Sequence, residues 1–480
     1  MCGVVGLVGT EDAAKEAFLG LTTLQHRGQD AAGILSFDES GFHWVKNLGL
    51  VESVFTRDNT ETLKGRLAIG HARYSTIGRG DLTDVQPFLV NYPFGIGMAH
   101  NGNVVNCSEL SQDLKNRDKR ALLTRSDTEV LLNLFAEGLR QHLNDVGFDS
   151  ICDALKNVFD RVNGSYSIVS LVGEHGLVAF RDPWGIRPLI WGRKKMPDGS
   201  EAHMVASESV PLSFLGYEVV RDIAPGEVWF SDLKGHVQTR VLKAKEAHHC
   251  MFEWVYFASP ESVIDGIPVY GSRINLGKSL ARILKKEMQK RKIEADLVVP
   301  VPETSRIAAI ALAEELGIPY RELLIKNRYI KRTFILNSQE KRQQAVNLKL
   351  SPVRSEIAGK KVMLVDDSIV RGTTSRKIIE LVRQAGAEKV YFVSTCPPIQ
   401  HPCYYGIDFP VESELIASGP RGLSEIEREL GADAVIYQDH EGLKQSVGGK
   451  LCMACLDGKY PTDISSGRQF AATRQKDRAS

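Results

Sequence analysis

The chain has 480 residues, 43% hydrophobic and 25% charged, with 60 Lys+Arg against 59 Asp+Glu for a formal net charge of +1. That length suits two or three domains and that composition a globular fold, while the near-balanced charge excludes a global field that would draw the chain to nucleic acid or a membrane surface. No apolar run approaches the roughly 18 residues of a membrane helix.

The chain opens Met1-Cys2-Gly3-Val4-Val5-Gly6. Methionine before a small residue is usually trimmed, which leaves Cys2 with a free α-amine beside its own thiol. The unperturbed pKa of such an amine is about 8, so nucleophile and base share one residue, a device for covalent catalysis. The bland alternative is a small buried hydrophobe. Gly9, Thr10, Glu11 and Asp12 cut the early apolar run short and no basic leader precedes it, so no signal peptide is expected. The expected setting is cytoplasmic, with neither a nucleic-acid nor a membrane partner. There, eight cysteines point to metal or catalytic use rather than a disulfide framework.

Short apolar segments between Gly, Asn and Asp turns predict a β-rich first half to about residue 240: 4–8, 33–37, 68–70, 95–98, 167–171 and 177–180. A helix is expected over Thr128–Phe135, with Asp127 as its N-cap. Distant strands should pair in a layered α+β or sandwiched core.

Four polar segments lie among these elements: Leu24 to Asp30, Gly70 to Thr76, His100-Asn101-Gly102-Asn103 and Ser126-Asp127-Thr128. A glutamine-cleaving site needs a guanidinium fork for the substrate α-carboxylate and a carboxylate for its α-ammonium. It also needs N–H donors for a tetrahedral oxyanion. Arg73, Asp127 and the Asn101-Gly102 pair are of these types, although singly they read as a surface arginine, a helix cap and a tight turn. Together with Cys2 they resemble class II (N-terminal nucleophile) glutamine amidotransferase domains. The resemblance implies an α+β N-terminal nucleophile hydrolase-type layered sandwich over residues 2–240. In it Cys2 attacks the glutamine amide, Asn101 and the Gly102 N–H form the oxyanion hole, and Arg73 and Asp127 hold the amino-acid end.

Residues 241–263 read as a joining stretch, after which the rhythm changes. Helices over 274–291, 305–316 and 374–386 alternate with strands over 295–300, 361–365 and 389–393. This predicts an α/β domain, 241–463 with its linker, built on a mostly parallel sheet with helices on both faces. Residues 464–480 form a polar tail expected to be disordered.

The strand Val362-Met363-Leu364-Val365 runs into Asp366-Asp367-Ser368-Ile369-Val370-Arg371-Gly372-Thr373-Thr374. Ligands of open α/β sheets bind beyond the carboxyl ends of such strands. A loop of Gly and hydroxyl residues opening a helix offers free N–H groups and a dipole to a phosphate. Two carboxylates beside that phosphate would repel it unless they bind ribose hydroxyls or Mg²⁺, so the segment asks for a phosphorylated sugar and a metal ion. The bland alternative is an acidic helix cap. The ordered package resembles the signature of type I phosphoribosyltransferases, which implies 5-phosphoribosyl 1-diphosphate (PRPP) as substrate. By resemblance Ser368, Val370, Arg371, Gly372, Thr373 and Thr374 hold the 5-phosphate, Asp366 and Asp367 hold the ribose hydroxyls, and Mg²⁺ lies at Thr304, Asp366 and Asp367. Thr304 belongs to a second loop, Val301 to Ser305, expected near the diphosphate. Between the loops, 326–334 holds four basic residues in nine. That suits a flap closing over the leaving group, with Lys326 and Arg328 on PRPP, or else a solvated basic loop.

Cys452-Met453-Ala454-Cys455 is a C-x-x-C pair, compatible by itself with zinc, a redox dithiol or an iron–sulfur site. An amidotransferase domain followed by a PRPP domain resembles the enzyme family that moves the amide nitrogen of glutamine onto PRPP. The likeness includes the linking motifs Arg181-Asp182-Pro183-Trp184-Gly185-Ile186-Arg187-Pro188-Leu189 and Ala206-Ser207-Glu208-Ser209, and it covers all but the tail. It implies formation of 5-phosphoribosylamine, glutamate and diphosphate, the first committed step of purine synthesis. Ammonia carried through an apolar passage would stay unprotonated, because desolvation disfavours the charged form. One branch of the family carries a structural [4Fe–4S] cluster, and its ligand positions match Cys250, Cys403, Cys452 and Cys455; zinc in the same ligands is the rival. That branch often carries a propeptide, whereas here removal of Met1 is expected to suffice. The family also implies purine-nucleotide feedback inhibitors and a homo-oligomer, tetramer or dimer. Ser259 replaces a usual Arg and Lys331 a usual Gly of the flap.

Two rivals remain. Against another class II amidotransferase stands the PRPP signature. A PRPP-sensing regulator without catalysis would not need Cys2, Arg73 and Asp127 together, and it would usually add a basic DNA-binding domain.

Overall fold

Every residue of the first strand, Gly3–Val8, is buried, and a strand covered on both faces has to sit inside a layered stack. The computed structural model describes residues 1–74, 82–326, 350–409 and 411–467. In it Gly3–Val8 is central to a seven-stranded antiparallel sheet. From edge to edge the sheet runs Glu218–Asp222, Ile190–Lys195, Glu201–Ala206, Gly3–Val8, Leu67–Arg73, Ala31–Asp38 and Gly41–Leu48. A second, six-stranded antiparallel sheet runs Val237–Val241, Glu227–Asp232, Gly176–Arg181, Gly164–Val172, Ile96–Val104 and Phe88–Val90.

Alternation along the strands assigns their faces. Val4 and Val8 turn inward with Leu35, Ile69, Val169, Leu177 and Trp229, forming the layer between the sheets. Val5 and Leu7 turn outward onto the helix Ala13–Thr23, through Ala17 and Leu21. Helices Asp127–Leu139 and Phe148–Arg161 cover the outer face of the second sheet through Leu131, Phe135, Ile151 and Phe159. The result is the expected α+β sandwich, with helices outside two sheets.

The second unit is doubly wound. Strands Leu297–Pro300, Lys361–Asp366, Lys389–Ser394 and Ala434–Tyr437 form a parallel sheet in that order. Helices Val269–Arg291 and Arg306–Leu316 cover one face through Leu280, Leu284 and Leu312. Helices Thr373–Gln384 and Leu423–Leu430 cover the other through Ile378, Ile379 and Leu430. The linker is tied back to the C-terminal end of the chain by a two-stranded parallel pairing of His249–Cys250 with Leu451–Cys452.

Three expectations need correction. Asp127 is the first helical residue rather than the cap, because Ser126 caps the helix by accepting from the Thr128 N–H. The helix expected from 274 starts at Val269. Residues 464–467 are not a solvated tail: Ile464 is buried in the core beside the cysteine-bearing C-terminal segment. The remainder, 468–480, lies outside the described residues.

Candidate active sites and cysteine centre

Cys2 stands at the mouth of the sandwich because the strand after it pairs with Leu67–Arg73, with Gly3 opposite Ala72. That register brings Arg73 beside Cys2. The second sheet delivers Asn101 and Gly102 at the end of Ile96–Val104, and the first turn of Asp127–Leu139 delivers Asp127. Cys2, Arg73, Gly102 and Asp127 line one small cavity together with Tyr74, Asp84, Gln86, His100, Arg125 and Ser126.

The Cys2 backbone N–H donates to Asn101 Oδ1 (3.1 Å), and Arg27 Nε donates to the Cys2 carbonyl (3.0 Å). Asn101 thereby fixes the position of the nucleophile's nitrogen with its oxygen. Its Nδ2 is buried without a hydrogen-bond partner among the described residues. A donor so placed is available to an oxyanion. Gly102 has φ +155°, and a Cβ there would run into the Ser165 carbonyl, so only glycine keeps the backbone in this place.

Asp127 Oδ2 accepts from the Val104 N–H (3.0 Å), and its Oδ1 lies 3.6 Å from His100 Nδ1. Burial opposes charge on both groups. The ion pair prevails, so His100 is raised and Asp127 lowered from their ordinary values. Burial also pulls the α-amine of Met1 down to about 6. Asp84, which pairs with Arg73 (3.4 Å), and Gln86, whose Oε1 accepts from the His100 N–H (2.8 Å), were not found from sequence. Arg125 was missed as well. They come from loops with no local signature.

The second site opens beyond the carboxyl ends of the parallel strands as a cavity of about 740 Å³. Asp366, at the end of Lys361–Asp366, and Asp367 are 9% and 8% exposed. Asp367 accepts from Thr304 Oγ1 (2.8 Å) and Ser368 Oγ (2.9 Å), and its N–H donates to Asp366 Oδ1 (2.9 Å). Burial, with the neighbouring acid, pushes Asp366 well up; burial raises Asp367, which Thr304, Ser368 and Arg273 partly restrain. Gly372 caps Thr373–Gln384 with φ +71°, and a Cβ there would strike Ile416. The helix N-terminus, Gly372 to Thr374, lines the cavity. Ser368, Val370, Arg371, Gly372, Thr373, Thr374 and Lys326 all line it. Arg371 turns its guanidinium to Glu414 (2.6 Å), leaving the backbone as the cradle's inner surface. Arg328 and Lys331 lie outside the described residues.

The other wall of this cavity belongs to the first unit: Met1, His26, Arg27, Gln29 and Tyr74. Tyr74 thus lines both cavities. Arg273, unremarked in the sequence, also lines the larger one, and it donates to the carbonyls of Trp254, Tyr256 and Ala258. Ser259, one of the departures, donates its N–H to Glu208 (2.9 Å).

Cys250 and Cys452 are register partners. The Tyr405 N–H donates to Cys403 Sγ (3.4 Å), and Cys455 is buried beside the same segment. Burial pushes the Cys250 thiol up to about 11 and holds Cys452 and Cys455 above the ordinary range, each with other cysteines of the four adding to the effect. Cys250, Cys452 and Cys455 belong to one buried cluster, with Cys403 packed against it. Among the described residues, no group of three or more His, Cys, Asp or Glu side chains is arranged to hold a metal ion.

Comparison with known proteins gives the same division. Residues 71–213 match the family of glutamine amidotransferase domains and residues 273–406 that of phosphoribosyl transferase domains. The amidophosphoribosyltransferase of Pseudomonas aeruginosa is 44% identical over 96% of this chain and 93% of its own length. The chain belongs to the amidophosphoribosyltransferase family. The amidophosphoribosyltransferase of Methanocaldococcus jannaschii is 42% identical over 97% of this chain and 98% of its own. The solved glutamine PRPP amidotransferase of B. subtilis, complexed with ADP and GMP, superposes with TM-score 0.84 at 41% identity, covering 96% of this chain and 98% of that one. A solved structure described as the allosteric regulatory enzyme of purine biosynthesis gives TM-score 0.85 at 40% identity, covering 96% and 97%. As an amidophosphoribosyltransferase the chain is an enzyme, a glycosyltransferase with a glutamine amidotransferase domain. Among the described residues no helix is long and apolar enough to cross a membrane.

Proposed function

We propose that the chain performs the amidophosphoribosyltransferase reaction at these two sites and passes nitrogen between them. Once Met1 is removed, the Cys2 amine serves as base and its thiol attacks the glutamine amide carbon. Asn101 Nδ2 and the Gly102 N–H receive the oxyanion, while Arg73 and Asp127 hold the α-carboxylate and α-ammonium. Ammonia leaves past Tyr74 and attacks the anomeric carbon of PRPP, diphosphate departs, and water hydrolyses the Cys2 thioester to release glutamate and the free thiol. The loop Ser368 to Thr374 holds the 5-phosphate, with Asp366 and Asp367 on the ribose hydroxyls and Lys326 and Arg328 on the departing diphosphate. The observation that carries this reading is the shared wall: Tyr74 lines both the Cys2 cavity and the cavity of the acid pair.

Two buried carboxyls raised by burial, with the Thr304 hydroxyl beside them, are the hard oxygen donors that Mg²⁺ takes. When bound, the ion would neutralise charge on the diphosphate. Cys250, Cys403, Cys452 and Cys455 would hold a [4Fe–4S] cluster. Zinc in the same four thiolates is the rival occupant. A cluster spreads its thiolates over four irons. The cluster's role is structural, tying the linker to the C-terminal segment. By kinship with the structure complexed with ADP and GMP, purine nucleotides are the inhibitors; the family resemblance adds a homo-oligomer (tetramer or dimer) as the working form and the cytoplasm as its compartment.

The purified protein is expected to contain about four iron and four acid-labile sulfide per chain and to release glutamate only when PRPP is present. Zinc without sulfide would remove the cluster, and glutamate release indifferent to PRPP would remove the coupling.

A further inference from the structure

Lys46 lies outside both cavities. It is half-buried on the strand Gly41–Leu48, and its ammonium donates to the carbonyls of Val85 (2.8 Å) and Pro87 (3.1 Å). It also stands over the ring of Phe88, 5.2 Å from the centroid. Val85, Gln86 and Pro87 are buried and belong to no helix or strand, so their carbonyls need partners that no ladder supplies. Lys46 supplies two of them from the other sheet. Gly41–Leu48 is the outer strand of the seven-stranded sheet, and Phe88–Val90, which this loop enters, is the outer strand of the six-stranded one. Gly33, the register partner of Lys46, lets the loop lie close, because a Cβ there would strike the Gln86 carbonyl.

The clamped loop carries two side chains into the glutamine cavity, Asp84 and Gln86. Asp84 Oδ2 pairs with Arg73 Nη2 (3.4 Å), and Gln86 Oε1 accepts from the His100 N–H (2.8 Å). His100 Nδ1 in turn lies 3.6 Å from Asp127 Oδ1. The loop thus reaches Arg73 directly and Asp127 through His100, the two groups assigned to the α-carboxylate and α-ammonium of glutamine. Asn101 and Gly102 are held from the other side, by the pairing of Ile96–Val104 with Gly164–Val172.

We infer that Lys46 is a positioning residue for the glutamine site: by clamping the Val85 and Pro87 carbonyls it sets Asp84 against Arg73 and Gln86 against His100, and so fixes the fork and the acid that receive the amino-acid end of glutamine. This rests on the glutamine reading above. The α-carboxylate and α-ammonium do not change during amide cleavage, so a hold on them acts on bound substrate and transition state alike. Losing such uniform binding raises KM and leaves kcat in place. A hydrogen bond from a charged donor is worth about tenfold in an equilibrium, and Lys46 makes two of them.

The test measures the steady-state kinetics of glutamine-dependent and ammonia-dependent product formation in wild type, Lys46→Met and Lys46→Arg. Methionine keeps the apolar stem and donates nothing, whereas arginine keeps the charge and the donors. Lys46→Met is expected to raise the KM for glutamine about tenfold or more, with kcat within about twofold of wild type and ammonia-dependent activity level. Lys46→Arg should stay within about threefold of wild type in KM. Alkylation of Cys2 by iodoacetamide, which has no amino-acid end to be held, should run at the wild-type rate in both variants. An unchanged KM in Lys46→Met overturns the inference, as does Lys46→Arg that does no better than Lys46→Met. A loss in which kcat and ammonia-dependent activity fall together with the affinity for glutamine also overturns it, since that marks a lysine that only supports the fold. Should Lys46→Met fail to fold, Lys46→Gln is read in the same way. Wild type that forms product from ammonia and not from glutamine overturns the glutamine reading itself.

Discussion

Replacing Cys2 with alanine is expected to lower glutamine-dependent product formation by about 10³-fold or more while activity with free ammonia remains. The thiol is the group that forms the covalent intermediate, and no neighbour can replace it. The cavity around it holds two arginines, two aspartates, a glutamine, a histidine, a serine and Tyr74, but no second thiol. The half-buried Cys2 side chain contributes little to packing, whereas its backbone holds Asn101 and Arg27, and alanine preserves those bonds. The PRPP cavity is lined from elements that the substitution does not touch. Loss of ammonia-dependent activity together with glutamine-dependent activity would show that Cys2 matters to structure rather than to chemistry.

Asp366→Asn and Asp367→Asn are expected to act in the opposite sense, abolishing the use of both nitrogen sources. Each should cost about 10²-fold or more in product formation, the scale on which a single preorganised electrostatic group contributes. Stability should not fall with activity. Burial raises both acids, and at Asp366 the neighbouring charge adds to it, so the ionised pair is held at a cost to the fold. Asparagine removes one of the two charges and keeps the shape, so the thermal midpoint should stay level or rise. A variant that loses activity and stability in parallel would contradict the binding role assigned to the pair.

Cys2, Arg73, Asn101, Gly102 and Asp127 were singled out as a set only through the family resemblance; what the residues themselves made legible is local. Asp366 to Thr374 is one strand end, one loop and one helix start, and each feature is written in adjacent residues: the apolar strand, the acids, Gly372 at positive φ. The parts that were not legible are made by pairing across distance. Asp84 and Gln86 approach Arg73 and His100 only because the strands Leu67–Arg73 and Ile96–Val104 face one another in the sandwich. Arg273 falls just before the helix expected from 274, and its role comes from three carbonyls of the preceding segment. The buried grip of Glu208 and Glu253 on Arg27 is likewise invisible in any one stretch. The misplaced cap has a local cause. Ser126 and Asp127 are both good cap residues, and what decides between them is that Asp127 is engaged by Val104 and His100. The helix from Val269 begins early because Ser272 Oγ donates to the Pro268 carbonyl (2.9 Å), so a poor helix former is satisfied within the first turn.

The central claim is that nitrogen freed at Cys2 reaches the acid pair past Tyr74 without entering solvent. It is tested most directly by supplying glutamine labelled with ¹⁵N in its amide together with PRPP and unlabelled ammonium, at an ammonium level that alone supports little turnover. The label is then measured in 5-phosphoribosylamine trapped as it forms. Nearly full retention of ¹⁵N is the predicted result; a product whose label has been diluted toward that of the ammonium in solution would contradict it.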